Sequence, residues 1–357
     1  MKKLKMGFCL LLAALTTASL SACGGNSQSS DSTGSAGELN IFVWTEYVPD
    51  SVIEQFEEET GIKVNVSTYS SNEDMLAKVK SEGEGTYDIV QPTDYMVEQM
   101  ISQGLLQELD QSKLTNLSNI GESYLNPSYD PGNVYSVPYQ GGAAAIAVNT
   151  SKVPSGTITS YADLFDSQYA NSMVVLDDFR AIIGMAAKSL GYSMSETDPD
   201  KLAEISERLL SLKDNIKLYD SDSPKSALIS GDCYLGVIWS AEIALAMDEN
   251  PDIEIVYPSE GAYLFMDNWC VTKGAKNYDQ AMEFINYMLK PETAQMVMQE
   301  YPYLNPNTTA LEGMEDDYKN NTAKNPPAED IAKGEYIKNL DTDTLAIYDQ
   351  MWTELKK

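Results

Sequence analysis

Ile41-Phe42-Val43-Trp44-Thr45-Glu46-Tyr47 reads as a strand that ends in chemistry. Leu39, Ile41 and Val43 alternate, so one face of the strand belongs to a core. Phe42 and Trp44 lie on the other face, and the polar pair Thr45-Glu46 follows where the strand must stop. A carboxylate set among aromatic faces suits an organic cation. The carboxylate pairs with the charge and the rings add cation–π attraction. Taken alone, the stretch reads equally as an aromatic strand end with a solvated glutamate. The rest of the chain decides between the two.

Downstream, strands and helices alternate. Pro49 to Thr60 reads as a helix stopped by Gly61, Lys63 to Tyr69 as a strand, and the next helix as capped by Asn72. Tyr87 to Val90 is a short buried strand, and Asp94 reads as the cap of a further helix. This alternation predicts an α/β fold with mixed, mainly parallel sheets. Tyr135 to Gly142 breaks the pattern and is expected to carry the chain into a second domain, with a return crossing near Gly261 to Asp267. Between the crossings, strands are expected at Met173 to Asp177, Lys217 to Tyr219, Tyr234 to Trp239 and Ile253 to Tyr257. The expected division is 38–141 plus 266–311 for one lobe, and 142–265 plus 312–357 for the other.

The chain has 357 residues, 43% hydrophobic, with a formal charge of −30. Such a field repels nucleic acid and draws cations over roughly 10 Å. There is no histidine, which excludes Ser-His-Asp and Cys-His catalysis and the commonest zinc sets. The N-terminus reads as an export leader. Lys2, Lys3 and Lys5 precede an apolar run from Gly7 to Leu20 that is too short for a stable membrane span. Leu20-Ser21-Ala22-Cys23 looks like a bacterial lipobox. Residues 1–22 would be a lipoprotein signal peptide, Cys23 the lipidated first residue, and 23–37 a flexible tether. Cys233 and Cys270 remain as an even pair in an oxidising compartment, where geometry decides whether they join.

Ligands of open α/β sheets sit beyond the carboxyl ends of the strands. Acids and rings recur there: Trp44, Thr45, Glu46 and Tyr47, then Thr93, Asp94 and Tyr95, then Asp177 and Asp178, then Trp239 and Glu242. Phe265 and Asp267 follow near the second crossing, and Tyr303 later. Individually each has an ordinary reading. Asp94 or Asp178 can cap a helix, Trp239 and Phe265 can be core aromatics, and Tyr303 can be a turn residue. Their repetition at strand ends from both expected lobes carries the argument.

Several segments, in register, also resemble the polyamine (spermidine/putrescine) substrate-binding proteins of ABC transporters. They include Trp44-Thr45-Glu46-Tyr47-Val48-Pro49, Tyr87-Asp88-Ile89-Val90, Ser136-Val137-Pro138-Tyr139, Leu235-Gly236-Val237-Ile238-Trp239, Met266-Asp267 and Tyr303-Leu304-Asn305-Pro306-Asn307. The resemblance implies a two-lobed, periplasmic-binding-protein-like (type II) fold with two hinge crossings and a ligand in the interlobe cleft. Trp44, Tyr95, Trp239, Phe265 and Tyr303 would box the methylene chain. Thr45 and Glu46 would meet one amine, Asp178 and Asp267 another, with Tyr47 and Thr93 alongside. Spermidine binders carry a glutamate where Ala181 stands and a glutamine near Ile337. Glu242, three residues after Trp239, and Phe265 instead lean toward the putrescine type. The resemblance also implies a non-enzymatic monomer that needs no cofactor. It would be tied to the outer face of the membrane and deliver ligand to an ABC permease. The rivals are a binder of another organic cation or amino acid, a receptor for a membrane sensor, and a surface glycosidase using two carboxylates.

Overall fold

The computed structural model describes residues 37–357. The leader, Cys23 and all of the tether except Gly37 lie outside the described residues. Among the described residues the ten strands are β1 (Glu38–Trp44), β2 (Lys63–Tyr69), β3 (Ile89–Val90), β4 (Ser136–Asn149), β5 (Met173–Val175), β6 (Ile216–Tyr219), β7 (Leu235–Trp239), β8 (Ile253–Val256), β9 (Tyr263–Val271) and β10 (Glu335–Tyr336). Their order is β2-β1-β3-β9-β4-β7-β5-β6, with β10 on β9 and β8 on β4.

The expected parallel pairing holds within each half: β2, β1 and β3 run parallel, as do β6, β5 and β7. The middle is antiparallel. β4 pairs with β9 from Ser136↔Cys270 to Ala144↔Tyr263, with a register shift between Pro138 and Gln140. The sheet is therefore mixed, because the two strands that pass between the halves run in opposite directions.

Both crossings are strands rather than breaks. Every residue of β4 and of β9 is buried, as expected of strands covered on both faces. The glycine pair that looked like a breaker sits inside β4 for lack of space. A Cβ on Gly141 would lie 2.6 Å from the Phe265 carbonyl oxygen, and one on Gly142 2.8 Å from Ser240 Oγ.

Helices cover the strands as their apolar stripes require. Asp50–Thr60 buries Val52, Ile53 and Phe56 and ends at Gly61, whose φ is 73°. Phe56 meets Phe284 and Tyr287 edge-on beneath the first half. The C-terminal helix Thr342–Leu355 packs on Phe179–Lys188 and Pro199–Ser211 of the second half.

Two expected caps move by one residue. Ser71, not Asn72, caps the helix Asn72–Glu82, accepting from the Asp74 N–H. Asn72 instead donates to Thr93 Oγ1 (2.9 Å) and to the Tyr95 hydroxyl (3.1 Å). Thr93 is the cap position before Asp94, and the Asp94 carboxylate accepts from the Tyr95 and Met266 N–H groups, tying that helix to β9. Cys233 and Cys270 are free, buried thiols.

Candidate functional site

A cleft opens where the carboxyl ends of the parallel strands from both halves face each other. Trp44, Thr45, Glu46 and Tyr47 enter it from the end of β1 and Thr93 from the end of β3. Asp178 follows β5, and Trp239 closes β7. Phe265 and Asp267 come from β9, and Tyr303 from the loop after the helix Pro291–Glu300. Strand alternation explains the β9 pair, since residues two apart share a face.

The rings form a connected wall. Trp239 lies 5.1 Å from Phe265, Phe265 6.1 Å from Tyr303, and Tyr303 5.0 Å from Tyr47. Trp44 packs 4.5 Å from Tyr69, and its indole N–H donates to the Gln91 carbonyl at 3.0 Å. The Trp239 indole donates to the Ser221 carbonyl at 3.2 Å. These bonds fix both indole planes, so each presents a ring to the cleft at little further entropic cost.

Asp267 is an acid of the cleft with both oxygens held. It is 4% exposed and accepts from the Tyr47 hydroxyl and from Thr93 Oγ1, both at 2.6 Å. Burial pushes its carboxyl up to about 7, partly offset by those two hydrogen bonds. Among the described residues no lysine or arginine pairs with it; its partners are the two hydroxyls. A buried carboxylate without a positive partner is expensive. Its ionised form is therefore poised to take a cation from outside.

Asp178 does two jobs. Its Oδ1 caps the helix Phe179–Lys188 by accepting from the Arg180 N–H (2.9 Å) and the Ala181 N–H (3.0 Å), which leaves Oδ2 for the cleft. Burial raises it to about 6, against the pull of the Ala181 N–H. Glu46 holds a left-handed backbone, φ 50°, a conformation that costs a non-glycine residue energy and clusters at functional sites.

Two expected residues do not line the cleft. Tyr95 is buried behind it, with the Arg180 guanidinium 4.3 Å over its ring and its hydroxyl directed to Glu73. Arg180 also pairs with Glu73 at 2.9 Å, which draws the ring into that cluster. Glu242 is buried in the first turn of the helix Ser240–Glu249 and is held by Lys225 at 2.9 Å. In turn, the cleft gains Ser70, Asn72, Ser221, Asp222 and Tyr263. Ser70 and Asn72 follow β2, and Ser221 and Asp222 follow β6, so the strand-end rule applied to every strand finds them. Tyr263 lies two before Phe265, on the same strand face.

Chemically, the arrangement offers carboxylates at separated points along an aromatic trough, with hydroxyls between them. That suits an extended molecule with charged ends and an apolar middle.

Comparison with known proteins agrees with this architecture. Residues 51–326 match the family model described as bacterial extracellular solute-binding protein. The chain is 40% identical over 318 residues to the spermidine/putrescine-binding periplasmic protein of Salmonella typhimurium, covering 89% of this chain and 91% of that protein. It is 36% identical over 352 residues to the spermidine/putrescine-binding periplasmic protein 1 of Haemophilus influenzae, covering 97% and 98%. A solved Listeria monocytogenes structure, described as a spermidine/putrescine ABC transporter, superposes with a TM-score of 0.86 at 34% identity, covering 89% of this chain and 98% of that one. The two-lobed α/β architecture is that of the periplasmic-binding-protein-like fold, and the chain belongs to the bacterial extracellular solute-binding protein family.

Proposed function

We propose that this protein captures a polyamine, putrescine or spermidine, in the cleft and delivers it to an ABC permease. The lobes are 38–141 plus 266–311 and 142–265 plus 312–357, and they close about the β4 and β9 crossings. The observation that carries the reading is Asp267, a buried carboxylate without a cationic partner among the described residues, facing aromatic walls contributed by both halves. Rings cover the methylenes and recover apolar burial at ~25 cal/mol per Å². Asp267, Asp178 and Glu46 measure the separation of the amines. The relatives' names agree with this ligand class. The protein works by binding and release and catalyses no reaction. The lipid on Cys23 holds it at the membrane's outer face, where tethering raises its effective concentration at the permease. Isothermal titration with putrescine, cadaverine, spermidine and spermine tests this. Saturable heat with at least one is expected, and no heat with any would refute the reading.

A pH dependence follows. Asp267 and Asp178 titrate near 7 and 6, above the ordinary ~3.9. Because these values are raised, the two groups favour the ligand-free fold most at low pH, and that contribution is lost as pH rises through 6 to 7. The cation needs both ionised, so binding expels protons. Affinity is expected to fall as pH drops from 8 to 5, by roughly one decade per unit for each proton displaced. Titrations at pH 7 in buffers of different ionisation enthalpy should show net proton release. A flat affinity from pH 8 to 5 would contradict the assignment.

A further inference from the structure

We propose that Lys225 is a specificity-determining residue of this cleft: its ammonium occupies an amine position at the Glu46 end and limits how many charged nitrogens a ligand can place there. This rests on the polyamine reading above. Lys225 opens the short helix Lys225–Ile229 in the second half of the chain. Its Nζ lies 3.1 Å from Glu46 Oε2, 3.1 and 2.9 Å from the two oxygens of Glu242, and 3.1 Å from Ser223 Oγ.

Two carboxylates and a hydroxyl around one ammonium satisfy its three donors. A ligand's terminal amine would seek the same arrangement. Glu46 lines the cleft from the end of β1, whereas Lys225 and Glu242 belong to the other half and lie just behind the lining, so the Lys225–Glu46 pair joins the two halves at that end. Glu242 is 4% exposed, and Lys225 beside it offsets the burial that disfavours its charged form. The Glu46 end is thus already supplied with a positive charge. Asp267, at the other position, is not.

The consequence is discrimination by charge count. On this inference a diamine bridges Asp178 and Asp267, rather than setting one ammonium between them, and leaves Lys225 in place. A triamine that also reaches Glu46 sets its third ammonium against a resident one, and like-charge juxtaposition is a standard way to reject a partner. If Lys225 only neutralises Glu242, its removal affects stability and leaves the ranking of ligands unmoved.

The test is calorimetric titration of putrescine and spermidine into the unmodified protein, Lys225→Met, Lys225→Arg and the double variant Lys225→Met/Glu242→Gln. Lys225→Met frees a carboxylate pair and is expected to raise the spermidine-to-putrescine affinity ratio about tenfold or more, ~1.4 kcal/mol. Lys225→Arg, which keeps the charge, should stay within about threefold of the unmodified ratio. The double variant, in which Glu46 is still freed but Glu242 no longer carries a charge, should fall between the unmodified and the Lys225→Met ratios. Lys225→Gln keeps an amide donor for Glu242 and should move the ratio in the same direction as Lys225→Met, which covers the case where the methionine variant does not fold. An unchanged ratio in Lys225→Gln or Lys225→Met, with both ligands bound, overturns this inference alone. No binding of either polyamine by the unmodified protein overturns the functional reading and this inference together.

Discussion

Asp267→Asn is expected to weaken polyamine binding by on the order of 3 kcal/mol, roughly two orders of magnitude in Kd, because it removes one partner of a desolvated charge pair. The geometry makes this the most sensitive position in the cleft. Tyr47 and Thr93 both donate to the carboxylate at 2.6 Å, so its two oxygens are held in place before a ligand arrives. Preorganised acceptors of this kind lose little entropy on binding. Asparagine is nearly the same size, and both hydroxyls can reorient to its amide. It also removes a group whose ionisation burial disfavours. The thermal midpoint at pH 8 should therefore hold or rise while binding collapses. Calorimetry and a melt on the same sample check both halves. Binding within threefold of the unmodified protein would contradict the role given to Asp267.

Trp269→Ala is expected to cost about 3–5 kcal/mol of folding stability, the range for large core aromatics. Trp269 is fully buried, 4.5 Å from the Tyr139 ring and 5.4 Å from the Phe284 ring. It also sits on β9, two residues beyond Asp267, and pairs with Val137 of β4. The cavity would open beside the strand that both halves share, where collapse is restrained by the buried β4–β9 ladder. Urea unfolding followed by fluorescence and circular dichroism measures the loss. A change below about 1 kcal/mol would show that the β4–β9 region tolerates a void, against the tight packing described for it.

Much of the fold was legible because its signals are local. Alternation in Leu39, Ile41 and Val43 marked β1, and Gly61 marked the end of the first helix. Gly141 and Gly142 misled because a glycine pair has two physical meanings. In a turn it supplies a rare backbone angle, and in a buried strand it makes room. Here the Phe265 carbonyl and Ser240 Oγ take that room, and both lie about a hundred residues or more away in sequence. A mixed, mainly parallel sheet was expected; what stayed hidden was that its antiparallel part is the β4–β9 pair at the centre, since strand direction there is set by which long strands meet.

The site shows the same division. Trp44 to Tyr47, Thr93, Asp178, Trp239, Phe265, Asp267 and Tyr303 could be named because each sits at a strand end or on one strand face. Tyr95 is drawn away by Arg180, and Glu242 by Lys225. Both displacements depend on a basic residue brought in from a distant element. Reading acids and rings alone left those cations out, although Lys225 stands only four residues after Ser221 in the loop that follows β6.

A crystal structure of the protein grown with saturating putrescine or spermidine tests the central claim most directly. The account predicts an extended ligand in the cleft, its methylenes against Trp239, Phe265 and Tyr303, and one nitrogen ~3 Å from the Asp267 carboxylate. A ligand bound elsewhere, or one whose nitrogens avoid Asp267, would contradict it.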